Sequence, residues 1–249
     1  MGAAVCPDCN GTGWRIIQQD DISGAERCHC LAEMRAQRNE ESAGIPPLYR
    51  NASFDNFSTK RAHRELASVM TTVKSFVREF PNDRQPGLLL MGDPGTGKTH
   101  LAIAAFRELL KRGFEGLFYD YQNLLDRIRS GFDAAAGVSD REAYRVAMEK
   151  EILFLDDLGA HRVTEFVEDT VTSILTHRCN HRRPLIATTN LSDADVSPIR
   201  REPGEGKIDY RLSLTDRLGM RARSRLFEMC KVVRMPLVED YRVSSWSRH

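Results

Sequence analysis

The chain has 249 residues, 41% of them apolar, and a formal net charge of +1, which suits one substantial domain with a small appendage. No run of 18 apolar residues is present, which excludes a membrane-spanning helix. The N-terminus shows a paired-cysteine motif in place of an apolar signal core, so a cytoplasmic chain without disulfides is expected.

Residues 1–43 hold four of the six cysteines. Cys6-Pro7-Asp8-Cys9-Asn10-Gly11-Thr12-Gly13 reads as a zinc-knuckle type of turn, with glycines that free backbone N–H groups toward thiolates. Cys28 and Cys30 close the set after an 18-residue gap. Four thiolates, Cys6, Cys9, Cys28 and Cys30, suit tetrahedral Zn²⁺, and a segment with little core needs such a staple. His29 is the alternative ligand, but its side chain should diverge from its cysteine neighbours. A charged helical run, Leu31 to Glu41, ends this module. Residues 44–58 read as a linker, in which Pro46 and Pro47 exclude helix, followed by an extended arm from Leu48 to Phe57.

From residue 59 to 249 helical and strand patterns alternate. A helix is expected from Lys60 to Phe80, stopped by Pro81. Strands are expected at Gly87–Met91, Gly116–Tyr119, Glu151–Leu155, Leu185–Thr189 and Lys231–Met235. Helices should lie near Lys98–Arg112, Gln122–Ser130, Asp140–Glu149, Thr164–Asn180 and Asp209–Met229. Small polar residues from Asp133 to Ser139 suit a mobile loop. Such alternation predicts an α/β fold, a parallel five-stranded sheet with helices on both faces. Cys179 and Cys230 fall in helical runs and read as small hydrophobes.

The first strand runs into Gly92-Asp93-Pro94-Gly95-Thr96-Gly97-Lys98-Thr99, which fits G-x-x-x-x-G-K-[ST] in full. Gly95 and Gly97 let the backbone turn its N–H groups inward as a nest for phosphate oxygens. Lys98 reaches the β- and γ-phosphates, and the Thr99 hydroxyl ligates Mg²⁺. A helix starting at Lys98 also aims its positive end at the phosphates. A nucleoside triphosphate is therefore the expected ligand.

The third strand ends in Asp156-Asp157. In a parallel sheet the carboxyl ends of strands line the ligand crevice, which puts Asp156 beside Thr99, where it can hold the Mg²⁺ shell. Asp157 can orient or deprotonate the attacking water. The fourth strand ends in Asn190, placed to bond the γ-phosphate or that water. Beyond it, Arg217, Arg221 and Arg225 recur every four residues, which predicts one basic helical face. From His177 to Arg234 thirteen Lys/Arg stand against seven Asp/Glu. That tilt suits a nucleic-acid strand, an acidic neighbouring subunit or a solvated face.

These residues, in this order, resemble an AAA+ ATPase. Closer features are Gly97-Lys98-Thr99-His100-Leu101-Ala102, Leu155-Asp156-Asp157-Leu158-Gly159, Ala187-Thr188-Thr189-Asn190, Ser224-Arg225-Leu226 and Ile45-Pro46-Pro47-Leu48-Tyr49-Arg50. They are similar to the DnaC/DnaI-like replicative helicase loaders and the related IstB-like transposition ATPases, over about residues 45–236. The resemblance implies a nucleotide-binding segment of Gly92, Asp93, Pro94, Gly95, Thr96, Gly97, Lys98, Thr99 and His100. It implies a Walker B pair at Asp156 and Asp157, sensor I at Asn190, and an arginine finger at Arg225 acting on a neighbour's site.

Many AAA+ proteins carry Glu where this chain has Asp157, which implies weak, stimulated hydrolysis. Only thirteen residues follow Pro236, so the helical lid with its sensor II arginine is expected to be absent, as it is from the loaders. The implied function is ATP-dependent loading of a replicative hexameric DNA helicase, with single-stranded DNA and further copies of the chain as partners. The N-terminal module would grip the helicase. A transposition helper ATPase is the second reading. A small-molecule kinase would leave Asn190, the arginines and the cysteine module unused.

Overall fold

The computed structural model describes residues 5–19, 22–59, 63–132, 138–161, 163–193, 212–238 and 240–241. Its centre is a five-stranded, all-parallel sheet in the order β4-β5-β6-β3-β7. The strands are β3 (Gly87–Met91), β4 (Gly116–Asp120), β5 (Ile152–Asp156), β6 (Leu185–Thr189) and β7 (Cys230–Arg234). Each lies within a residue of its expected place. The sheet is apolar on both faces because helices cover both, as parallel sheets require. Alternate side chains divide between two cores. Leu88, Leu90, Phe154 and Ile186 meet α2 (His63–Glu79) and α3 (Lys98–Lys111) on one face. Leu89, Met91, Leu153, Leu155 and Ala187 meet α4 (Tyr121–Phe132), α5 (Val138–Glu149), α6 (Glu165–Asn180) and α7 (Leu214–Met229) on the other.

Three differences from the sequence reading matter. Between the cysteine pairs lies an antiparallel hairpin, β1 (Trp14–Gln19) and β2 (Ile22–Arg27), with Trp14 opposite Arg27. Its polar residues and lack of a buried face hid it from a search for alternating apolar residues. Next, the arm from Leu48 to Phe57 is folded rather than extended. A 3₁₀ turn spans Pro47–Tyr49, because a proline at a helix start has the right φ and no N–H to satisfy. Tyr49, Phe54 and Phe57 then pack on the α2/α3 core. Finally, α1 begins at His29 and ends at Ser42, and it is docked. Asn39 Nδ2 donates to the Phe114 carbonyl at 2.9 Å, Glu40 pairs with Arg107 on α3, and the Ala43 carbonyl accepts from Phe118 N at 2.7 Å.

Other expectations fall partly outside the described residues: the helix start at 60–62, the loop at 133–137 and the helix start at 209–211. Val138 and Ser139 belong to α5. Among the described residues no helix is long and apolar enough to cross a membrane.

Arg178 on α6 is fully buried and has no carboxylate partner among its described contacts. Its guanidinium instead donates to the carbonyls of Ala147, Met148, Lys150, Glu151 and Pro184. It thereby gathers the carbonyl end of α5 and the entries to β5 and β6. Arg178→Leu would strand several buried acceptors, each costing about 1–3 kcal/mol when left unmet. It is expected to lower stability by about 3 kcal/mol in urea unfolding, whereas Arg182→Leu, on the exposed turn that follows, should cost less than about 0.5 kcal/mol.

Candidate nucleotide site and cysteine cluster

The phosphate-type loop runs from β3 into α3. Gly97 caps α3 with φ 92°, a conformation that favours glycine, and a Cβ there would stand 2.8 Å from the Phe57 ring. The arm therefore presses on the loop where only glycine fits. Thr96 Oγ1 and Lys98 Nζ each donate to the Asp93 carbonyl at 2.8 Å, and Lys98 is 5% exposed. A buried ammonium beside the N-terminus of α3 makes an anion site.

Asp156 ends β5 between two hydroxyls. Its Oδ1 accepts from Thr99 Oγ1 at 2.9 Å and from Thr188 Oγ1 at 2.6 Å. Burial raises its carboxyl above the ordinary range, and the charges of Asp157 and Asp120 raise it further. The bonds from Thr188 and Thr99 offset part of this. Hard oxygens from Thr99 and Asp156 in contact fit a Mg²⁺ shell, which keeps several waters and takes one or two protein oxygens.

Asp157 follows at φ 53°, in the left-handed region, with its N–H bonded to Thr188 Oγ1 at 3.0 Å. Its Oδ1 accepts from Asn190 Nδ2 at 3.0 Å. Thr188 thus fixes both acids. It was not singled out from the sequence, although a threonine two residues before Asn190 on the neighbouring strand was the available signal.

These groups border a cavity of about 380 Å³. Pro94, Gly95, Thr96, Gly97, Lys98, Thr99, His100, Asp157 and Asn190 line it. The sequence reading did not assign its remaining walls, which come from Leu48, Tyr49, Asn56, Phe57, Ser58, Leu66, Val238 and Tyr241. His100 turns toward the arm, with Nε2 2.8 Å from Asn56 Oδ1 and 3.1 Å from the Ser53 carbonyl. Tyr241 N donates to the Gly95 carbonyl at 3.1 Å, so the tail closes on the loop.

The arginine row is corrected. Gly219 has φ 78° and ψ 159°, which breaks α7 between Arg217 and Arg221, so the three do not share one continuous helical face. Glycine permits this left-handed φ, which a residue with a side chain would adopt only under strain. Arg217 donates to the His161 carbonyl at 3.1 Å. Arg221 is exposed, and Arg225 pairs with Glu228 at 2.7 Å. Among the described residues lining the cavity, none is an arginine.

In the N-terminal segment the sulfurs of Cys6, Cys9, Cys28 and Cys30 lie within 4.8 Å of one another. Cys6 and Cys28 approach to 3.7 Å, Cys9 and Cys30 to 3.5 Å. A tetrahedral ion with bonds of about 2.3 Å sets its sulfurs roughly 3.8 Å apart, so the spacing fits. Burial pushes the Cys9 thiol up, but the N–H groups of Gly13 and Gly11 and the thiols of Cys30 and Cys6 outweigh it and leave it at about 7. His29 does not swing away as expected: its Nδ1 lies 3.7 Å from Cys28 Sγ and 3.5 Å from Asp8 Oδ2. With Cys6 and Asp8 it forms an overlapping, more exposed group.

The family model described as an IstB-like ATP binding protein matches residues 26–199. The replicative helicase loader DnaC of Escherichia coli is 25% identical over 202 residues, with 80% of each chain covered. The protein YqaM of Bacillus subtilis is 25% identical over 257 residues, covering 97% of this chain and 72% of its own. Among solved structures, the DnaC helicase loader superposes with a TM-score of 0.60 at 29% identity, covering 77% of this chain and 100% of that one. The sheet and helices match an AAA+ fold.

The raised Asp156 carboxyl gives a signed expectation. A carboxyl whose folded pKa lies above its unfolded value costs stability when ionised and regains it as pH falls through the folded value toward about 3.9. Asp156→Asn should therefore raise the nucleotide-free melting temperature at pH 7.5. The gap to the native chain should narrow as pH is lowered, while Mg²⁺-dependent stabilisation by ATP is lost. Calorimetry at several pH values, with and without nucleotide, checks both.

Proposed function

We propose that this chain, which belongs to the IstB-like ATP-binding protein family, is an ATP-switched loader of a replicative DNA helicase, working in the cytoplasm. The observation that carries this reading is a DnaC-like nucleotide domain joined in one chain to a thiol-clustered N-terminal segment that exposes apolar residues. Val5, Trp14, Ile16, Ile17, Leu31 and Met34 are between 41% and 80% exposed on that segment. Clustered exposed apolar residues mark protein-interaction surfaces, so residues 1–43 would serve as the helicase-binding module, residues 44–58 as the arm and residues 59–249 as the ATPase domain.

Each side chain has a task. Lys98 and the loop N–H groups hold the phosphates. Thr99 and Asp156 hold Mg²⁺, which when bound neutralises charge developing on the phosphates. Asp157 and Asn190, already bonded to each other, orient the attacking water. Leu48, Tyr49, Leu66 and Val238 offer apolar walls to a purine. The short, strapped Asp157 carboxylate suits slow hydrolysis that a partner stimulates. Arg225, outside the cavity of its own chain, suits a finger acting on a neighbouring copy, and the basic C-terminal half suits single-stranded DNA. Zn²⁺ suits the four thiols.

The IstB-like match supports a second reading, a helper ATPase for a transposase. A transposase gene beside this one would favour it; replication genes would favour the loader.

The deciding experiment is co-purification with a hexameric replicative helicase. The expected result is a stable complex with the full chain and its loss with Trp14→Ser/Ile16→Ser. Absence of binding by the full chain would overturn the loader reading. Lys98→Ala is expected to abolish ATP binding in calorimetry, and unchanged affinity would refute the site. Metal analysis should find about one Zn²⁺ per chain, and chelation should unfold the hairpin while the nucleotide domain keeps its melting transition. Binding to single-stranded DNA should strengthen with ATP and fall steeply with salt, as phosphate contacts do.

A further inference from the structure

Asp193 lies three residues beyond Asn190 and is 2% exposed. Its Oδ1 accepts from Arg223 Nε at 2.9 Å and from Nη2 of the same guanidinium at 2.7 Å. Arg234 Nη2, at the end of β7, lies 3.9 Å from Oδ2. None of these three residues lines the nucleotide cavity. A buried carboxylate needs partners of this kind, but its place in the chain gives it a second consequence. Ser192, just before it, bridges to Ser213, and the Ser192 carbonyl accepts from Leu214 N at 2.9 Å. The short stretch after Asn190 therefore grips α7 twice, at its first turn through Ser192 and beyond Gly219 through Asp193.

The second grip adds to core packing beyond the break: Ala222, Leu226 and Met229 are buried on one side of that half, and Asp193 holds the flank that carries Arg223. Gly219 interrupts α7, so the capping box of Ser213 and Asp216 that fixes its start cannot dictate the direction of residues 220–229. Only contacts made by that second half can. Arg223 supplies an inward one, and its guanidinium also stacks on Phe227 at 4.9 Å. Residues two apart on a helix point about 200° from each other. Holding Arg223 inward against Asp193 thus turns Arg225 outward, where its side chain is 40% exposed.

We propose that Asp193 is a positioning residue: it holds the Arg223 turn of α7 to the loop after Asn190 and so aims Arg225 at the nucleotide of a neighbouring copy. The same bond ties the γ-phosphate side of one subunit to the arginine it offers the next. This rests on the reading of Arg225 as a finger in trans.

The test mixes subunits. Lys98→Ala protein keeps the finger and lacks the loop charge; Arg225→Ala protein keeps the loop and lacks the finger. Stimulated hydrolysis should return on mixing. Asp193→Asn added to the Lys98→Ala subunit should lower the regained rate about fivefold or more. Added instead to the Arg225→Ala subunit, it should leave the rate within about twofold, with ATP affinity of that subunit unchanged. Arg223→Lys keeps the charge but loses the two-donor grip. It sits at the more exposed end of the pair and should show the same one-sided defect even if Asp193→Asn folds poorly. A loss of equal size from both sides would mark a purely structural residue, and no loss from either would mean that the grip is idle. Both overturn the proposal while the finger reading stands. If the parent mixture regains nothing, the finger reading falls and the positioning role with it.

Discussion

The structure turns on one carboxylate, Asp156, held between the hydroxyls of Thr99 and Thr188. Thr99 opens α3, Asp156 ends β5 and Thr188 lies near the end of β6. One oxygen atom thus registers a helix and two strands at the edge where ligand chemistry takes place. β3 does not neighbour β5, because β6 lies between them. The phosphate loop and the acidic strand end must therefore meet across β6. That strand is buried throughout, and its two threonines take both jobs: Thr188 bonds Asp156, and Thr189 Oγ1 donates to the Leu158 carbonyl at 2.7 Å.

This arrangement costs stability. Asp120, Asp156 and Asp157 gather at neighbouring strand ends, and burial and mutual repulsion raise the Asp156 carboxyl. The sheet tolerates this because Lys98 and a divalent cation would offset the charge. A ligand that brings positive charge to this edge would therefore stabilise the fold by mass action. Elsewhere a buried charge is handled differently: the Arg178 guanidinium donates its Nη1 and Nη2 to backbone carbonyls.

Much of this was legible in the sequence. The five strands are short apolar runs with sharp ends, and the motif residues sit at those ends, so spacing alone placed Lys98, Thr99, Asp156, Asp157 and Asn190 in one crevice. What spacing could not show were features set by contacts distant in sequence. The break in α7 falls at Gly219, where the helix packs close to Glu168 of α6; the four-residue arginine period reads straight through it. The arm was read as extended because prolines speak only against α-helix, while its fold follows from burying Tyr49, Phe54 and Phe57 on α2 and α3. The hairpin between the cysteines leaves Trp14, Ile16 and Ile17 exposed and pairs them with a polar second strand, so too few alternating apolar residues marked it.

Helix α3 joins the two ends of the molecule. Its first turn carries Lys98 and Thr99, and its later turns carry Arg107, which pairs with Glu40 of α1 and also donates to the Ala52 carbonyl of the arm. Just past its end, the Phe114 carbonyl accepts from Asn39. Helix α1 in turn starts within the cysteine cluster, since Cys28 is its cap and Cys30 lies in its first turn. The thiols and the phosphate loop are therefore separated by two packed helices and no free linker. A helix is stiff over the 14 residues of α3, so a shift of its N-terminal turn around a phosphate would move Arg107 with it, and with Arg107 the base of the segment that exposes Trp14 and Ile16. The proposed partner surface and the nucleotide site thus flank one helix, α3, to which Glu40 ties α1 and beyond whose end Asn39 bonds.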